Sequence, residues 1–355
     1  MRRARAAWLA FAVAIAVAAG GAARSEPARH TVIRLATAAP DGTAWARELR
    51  AIGRDVGAAT KGAVEVKWFF GGIAGDERQL ADRIRRGQLD GAASGGDLCQ
   101  AISPTMRVVN VRGVFNSRDE ASHVMNRFKS TIEAEFLENG FVYVAATGLG
   151  PDLVFSRSPI RTLDELRKTR IFHVSIDDRG LLLDNELGFN TVTGSLDEAG
   201  RMYEEGKVDG MIVNPSGALA FQWSSLVRYV LSLPIGYSYG CLAVSNRAFE
   251  RLTLEEQQAF RAAGAKAGAR IDEVGRQQDE TLLGGVFQKQ GIKLTQPADS
   301  MRSEFLAAAR LARERLGDKL VPGATLQQVL AMLADYRSEH REAELPAPAR
   351  ETPGR

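Results

Sequence analysis

The chain is poor in the residues that most often build chemistry. Among 355 residues it has two cysteines, Cys99 and Cys241, and four histidines. His30, His123, His173 and His340 stand apart, and no Cys or His pair has the short spacing of a zinc site. Ser94 lacks the Gly-x-Ser-x-Gly elbow of a nucleophile, and the adjacent Asp177 and Asp178 face different ways, so they form no acid/base pair. Gly71-Gly72-x-x-Gly75 is not followed by Lys-Ser or Lys-Thr and reads as a turn, not a phosphate cradle. These gaps argue against an enzyme and call for no metal and no cofactor. Charge surplus is lacking too. Lys and Arg exceed Asp and Glu by 3, and Arg2, Arg3, Arg5 and Arg24 fall in an acid-free stretch of 25 residues. Subtracting those four leaves the remainder near −1, which gives no support to nucleic-acid or membrane-surface binding.

What is present starts with Met1-Arg2-Arg3-Ala4-Arg5, an uncharged apolar run from Ala6 to Ala19, and small residues from Gly20 to Ala23. That is the layout of a secretory signal peptide. The run is shorter than the about 20 residues a membrane span needs, so residues 1–25 are expected to be a cleaved leader, with Ala23 or Ser25 before the cut. No Cys sits in this region to carry a lipid, so the mature protein is expected to be free in the periplasm. In that oxidising compartment Cys99 and Cys241 fit either a disulfide or two separate buried thiols.

The remaining about 330 residues suffice for two lobes with a core each. Strand-like and amphipathic helical runs alternate, which predicts an α/β fold with mainly parallel pairing. Val32–Ala36 reads as a first strand; Trp45, Leu49, Ile52 and Val56 fall on one helix face; Val64, Val66 and Trp68 alternate as in a half-buried strand. Thr162-x-x-Glu165, Ser195-x-x-Glu198 and Thr253-x-x-Glu256 look like capping boxes. The last opens a helical stretch running to about Gln290, long enough to bridge two lobes. Arg85-Arg86-Gly87-Gln88-Leu89-Asp90-Gly91-Ala92 is echoed by Glu204-Glu205-Gly206-Lys207-Val208-Asp209-Gly210-Met211. Each copy reads as a helix stopped by Gly, then a turn into a strand. Ligands of open α/β sheets bind beyond the carboxyl ends of strands. Those ends fall near Ser94–Asp97 and Asn214–Pro215, so the echo nominates a cleft between two similar lobes.

Several segments, in order, resemble the substrate-binding proteins of tripartite ATP-independent periplasmic (TRAP) transporters, the dicarboxylate-binding-protein-like family. They are Trp68-Phe69-Phe70-Gly71-Gly72-Ile73-Ala74-Gly75-Asp76-Glu77, Gly87-Gln88-Leu89-Asp90, Ser158-Pro159-Ile160-Arg161-Thr162-Leu163-Asp164-Glu165-Leu166, Gly206-Lys207-Val208-Asp209-Gly210 and Leu252-Thr253-Leu254-Glu255-Glu256-Gln257. The resemblance implies a two-lobed periplasmic binding protein fold (type II-like), with mixed sheets flanked by helices and a long helix bridging both lobes. On this basis residues 31–148 form lobe one, with returning segments near 238–270 and 300–343. Residues 149–237, with about 271–299, form lobe two, and 344–355 are a disordered tail. It also implies a monomer that closes on a small organic ligand and delivers it to a TRAP membrane permease. The rival readings are a binding protein that reports occupancy to a sensor or chemoreceptor, and a periplasmic enzyme on the same fold.

Most relatives clamp a carboxylate with the Arg of a Lys-Ile-Arg strand. The matching stretch here is Lys168-Thr169-Arg170-Ile171-Phe172-His173, which puts Phe172 at the position of that Arg; the family's Gln-Glu-Asn-Pro becomes Met211-Ile212-Val213-Asn214-Pro215. Both departures favour a larger ligand, more apolar or neutral than the usual carboxylate, or an acid held by other groups such as Arg179 or His173. Candidate ligand-binding residues are therefore Phe172, Asn214 and Trp223, then His173, Asp177, Arg179, Asp97 and Trp45. Each has a plainer alternative. Phe172 and Trp45 suit a core, Asn214 a turn, Trp223 a plug between the lobes and Asp97 a helix cap. Strand alternation lets at most one of Phe172 and His173 face the cleft.

Overall fold

The computed structural model describes residues 30–174 and 178–344. The expected leader, the tail beyond 344 and Asp177 lie outside the described residues. Ten strands are described: β1 (Thr31–Thr37), β2 (Val64–Phe69), β3 (Gly91–Ser94), β4 (Phe141–Ser156), β5 (Arg170–Val174), β6 (Asn190–Gly194), β7 (Gly210–Val213), β8 (Tyr229–Leu231), β9 (Gly236–Ser245) and β10 (Lys293–Thr295). Between them run α1 (Ala44–Ala59), α2 (Glu77–Arg85), α3 (Asp97–Ile102), α4 (Arg118–Arg127), α5 (Lys129–Glu138), α6 (Leu163–Lys168), α7 (Asp178–Glu186), α8 (Ala199–Glu204), α9 (Pro215–Ala220) and α10 (Asn246–Phe249). After β9 and α10 come α11 (Leu254–Thr281) and α12 (Phe287–Lys289), and after β10 come α13 (Met301–Leu316) and α14 (Gly323–Glu344). Among the described residues no helix is long and apolar enough to cross a membrane.

The strands run in the order β2-β1-β3-β9-β4-β7-β5-β6, with β8 on β4 and β10 on β8. The two lobes meet in β4, whose residues Phe141–Asp152 pair with β9 and Leu153–Ser156 with β7. Both of those pairings, and that of β3 with β9, are antiparallel; β1/β2, β1/β3, β5/β6 and β5/β7 are parallel. The sheet is therefore mixed, as the resemblance implies.

Local signals in the sequence have clear physical counterparts. In the boxes at Thr162 and Thr253 the hydroxyl accepts the backbone N–H three residues on, while Glu165 and Glu256 accept the cap residue's own N–H. Glu198 likewise accepts the Ser195 N–H at 3.1 Å, opening a 3-10 turn ahead of α8. In the echo, Gly87 (φ 74°) and Gly206 (φ 69°) take the left-handed conformation that a side chain would strain. The next N–H in each case, Gln88 and Lys207, turns back to the carbonyl of Arg83 or Met202 at 2.9 and 2.8 Å. The echo goes further than the turn. Asp90 accepts from Arg34 Nε on β1 at 2.9 Å, and Asp209 from Arg170 Nε on β5 at 2.6 Å; each Asp also donates its N–H to that same arginine's carbonyl. One Arg–Asp lock thus enters β3 and β7 in the same way.

The long helix forms. α11 has 28 residues, about 42 Å of rise. It continues through a π turn at Leu282–Val286, where Gly285 is left-handed, into α12, and Gly291 ends the run. It starts against α1 and β4 and finishes against α9. Its contact with β4 is close: a Cβ on Gly264 would sit 2.3 Å from Val144 Cγ1. Of the segment 300–343, α13 packs on α6 and α7 whereas α14 packs on α4.

Cys99 on α3 and Cys241 on β9 form a disulfide, with Cα atoms 5.9 Å apart and 142 positions between them in sequence. Closing so long a loop restricts the unfolded chain by about 3–5 kcal/mol. Replacing both cysteines with serine is expected to lower the melting temperature by about 5–10 °C. The parent protein in excess reductant should fall by a similar amount, while the double variant ignores reductant; a parent indifferent to reductant at matched unfolding would refute the bridge.

Candidate functional site

The carboxyl ends of β3 and β7 meet the same cavity, of about 290 Å³. β3 ends at Ser94 and is followed by Gly95 and Gly96, where Gly96 takes φ 151° to start α3. That turn is held by Glu77 on α2, which accepts from Ser94 Oγ at 2.6 Å, Gly95 N at 2.9 Å and Leu98 N at 2.7 Å. β7 ends at Asn214, whose side chain accepts from Gly217 N at 2.7 Å and caps α9 with Pro215 in its first turn. The first-lobe wall comes from the apolar face of α1, from β4 and β9, and from the small-residue face of α11 at Gly264, Ala267 and Gly268. The second-lobe wall comes from Val174, Ser195, Leu196, Ile212, Val213 and the Phe221–Trp223 corner. No Lys, Arg or His lies among the described residues lining the cavity.

Of the residues nominated by the sequence, Asn214, Trp223, Asp97 and Trp45 line the cavity. Phe172 does not. It is buried behind Trp223, edge-on at 6.1 Å between ring centres, in the core cluster that also holds Met202. His173 takes the other side of the strand and meets Asp184, Nδ1 to Oδ2 at 3.3 Å. Arg179 donates to the Lys319 carbonyl and is also absent from the wall. Sequence reasoning missed Leu49, Ile52, Phe221 and Ile271. For the first two a signal existed, since they share the apolar face of α1 with Trp45, yet of that face only Trp45 is nominated.

Two buried networks cross between the lobes beside the cavity. In one, Arg118 on α4 donates to Asp279 Oδ2 at 2.7 Å and Asp272 Oδ1 at 3.2 Å, and Asp279 Oδ1 accepts from Ser216 N and Oγ on α9. It sits against Gly150, where the β4 register shifts; a Cβ there would lie 2.5 Å from Asp279 Oδ2. In the other, Arg112 donates to Asp184 at 3.1 and 3.3 Å and lies 3.7 Å from Asp152, which accepts from Ser238 Oγ at 2.5 Å. Burial pushes the Asp152 carboxyl above its ordinary range, more than Arg112 and Ser238 lower it. Burial acts the same way on Asp184, yet Arg112 and His173 together hold it below.

The family described as bacterial extracellular solute-binding protein, family 7, matches residues 35–316. A protein described as a solute-binding protein in Chromohalobacter salexigens is 25% identical over 62% of this chain; the match spans 66% of that protein's length, just under two thirds. An uncharacterised Salmonella typhimurium protein, YiiZ, is 24% identical over 66% of this chain and 72% of its own. Among solved structures, the sugar acid binding protein of Advenella mimigardefordensis in complex with galactonate has a TM-score of 0.80 at 18% identity. It covers 86% of this chain and 99% of its own. A Bordetella pertussis extracytoplasmic solute receptor binding pyroglutamic acid has a TM-score of 0.78 at 20% identity, over 86% and 99%.

The two aspartates beside Arg112 carry opposite signs in a pH titration. The depressed Asp184 contributes stability that is present above the ordinary carboxyl value of 3.8 and lost as pH falls further. The raised Asp152 contributes most below 3.8 and loses that contribution as pH climbs through its raised value. Asp184→Asn is therefore expected to cost about 3–5 kcal/mol at neutral pH, because it removes the buried charge that Arg112 and His173 share, and to flatten the acid limb. Asp152→Asn is expected to cost at least about 2 kcal/mol less. Urea unfolding at pH 4, 5.5 and 7 measures both, and equal losses at neutral pH would contradict this account.

Proposed function

We infer the function from one premise: the chain belongs to family 7 of the bacterial extracellular solute-binding proteins. We propose that it works in the periplasm after loss of the leader at residues 1–25, and that it binds its solute in the cavity between the lobes. Delivery is to a TRAP-type membrane permease. Ligand contacts to both walls favour a closed arrangement over an open one, and a ligand touching one wall alone would shift nothing.

The observation that carries the ligand reading is the absence of any Lys, Arg or His among the described cavity-lining residues. The structural neighbours named above hold galactonate and pyroglutamic acid, both carboxylates. At the position where the resemblance expects a carboxylate-clamping arginine this chain has Phe172, turned into the second-lobe core. What remains in the wall is largely apolar, with Asn214, Ser195, Thr147 and Ser238 as polar fixing points. We propose a compact organic solute with an apolar body, held without a carboxylate clamp, with Asn214, Trp223, Trp45 and Asp97 as its contacts.

Native mass spectrometry of the mature protein, purified without refolding, should detect a small molecule with an apolar body that matches the cavity. Trp45→Ala is expected to weaken its binding at least about tenfold, near 1.4 kcal/mol, by removing ring area from the first-lobe wall. A dicarboxylate or sugar acid as the retained molecule would overturn the ligand reading.

A further inference from the structure

We propose that the solute carries a positive charge, an organic amine on an apolar body, and that Glu77 sets this preference. The proposal rests on the reading of the cavity as the solute site and adds the sign of the charge it selects.

Glu77 lies in the cavity wall beside Asp76 and Asp97, so the wall's formal charges are all negative among the described residues. The three donors at the end of β3 that could have met an anionic ligand are already taken: Ser94 Oγ, Gly95 N and Leu98 N all donate to Glu77. A carboxylate from the solution would find those three donors taken, and a like charge in its place. The same contacts leave Glu77 short of compensation. Its three donors are dipoles, and no Lys or Arg pairs with it among the described residues. A carboxylate offers about four acceptor positions, so one remains for a donor from the ligand.

The aromatic lining suits the same partner. The indoles of Trp45 and Trp223 line the cavity from the two lobes, and aromatic faces attract ammonium groups when both leave water. Charge interactions strengthen where water is sparse, so the unpaired carboxylate and the apolar walls act together. The chain's buried arginines do not weaken this sign. Arg112 and Arg118 are spent on Asp184, Asp272 and Asp279 behind the wall.

The test uses three probes with one body and three charges, 2-phenylethylamine, 2-phenylethanol and phenylacetate, titrated calorimetrically into the mature protein and into Glu77→Gln. The amine is expected to bind at least about tenfold tighter than the acid, with the alcohol between. Glu77→Gln should lower affinity for the amine about tenfold and leave the alcohol within about twofold. Because the substitution also touches the 94–98 turn, a second reading is taken on the unmodified protein: raising salt from low to high should weaken the amine and spare the alcohol. Binding of the acid or the alcohol in preference to the amine overturns the charge assignment and leaves the binding-protein reading intact. Silence from all three probes, with no small molecule retained on purification, counts against both.

Discussion

Everything in this molecule turns on β4 belonging to two sheets at once. Its first twelve residues complete the first sheet against β9, and its last four open the second against β7. The lobes are therefore continuous through hydrogen-bonded backbone and not hung on a loose linker. The change of partner falls just past Gly148 and Gly150, where the register shifts and Arg118, Asp279 and Asn214 crowd the backbone. A change of dihedral angle at this place would move one cavity wall against the other, and the ion pairs of Arg118 bridge it. The long helix α11 also passes from one lobe to the other, packing on α1 and β4 and then on α9.

The sequence made some of this legible and hid the rest for physical reasons. The echo around Asp90 and Asp209 was readable because glycine is demanded by backbone geometry and the pattern is local. Its deeper content, the lock onto Arg34 and Arg170, was not, since those partners lie 56 and 39 positions away. The two strand ends it nominated do meet at one cavity, with Asn214 and Asp97 in the wall. Phe172 illustrates a limit of alternation: period two says that neighbours face opposite ways, but it does not say which side borders the cavity and which the helices. Here the Phe172 side reaches the cavity only at the strand's end, through Val174, because Trp223 stands in front of Phe172, while on the other side Asp184 receives His173. Glu77 passed as part of a helix start because its real partners come 17 to 21 residues later. The cysteines left two readings open, and only the approach of α3 to β9 decided between them.

Charge is distributed with a consistent direction. Arg112 and Arg118 stand beside the cavity, yet both turn into carboxylates, of which Asp152, Asp184 and Asp279 are nearly sealed from water. Each such pair is costly to bury and more costly to break. The arrangement therefore gains little net stability and much definition, fixing α4, α7, α9 and α11 relative to one another. The price of definition is a wall from which the fold's nearest cations are withdrawn.

One further consequence follows from the strand order. β9 lies between β3 and β4 in the first sheet, although some 140 residues separate it from β3 along the chain. Until residue 245 is available, the growing chain holds a half-sheet with two facing, unpaired, apolar edges, and lobe two has already been made in between. Such edges invite pairing with the wrong strand. A chain of this topology carries its pairing hazard until its last central strand is made, so that hazard is set by the order of synthesis more than by the stability of the finished fold.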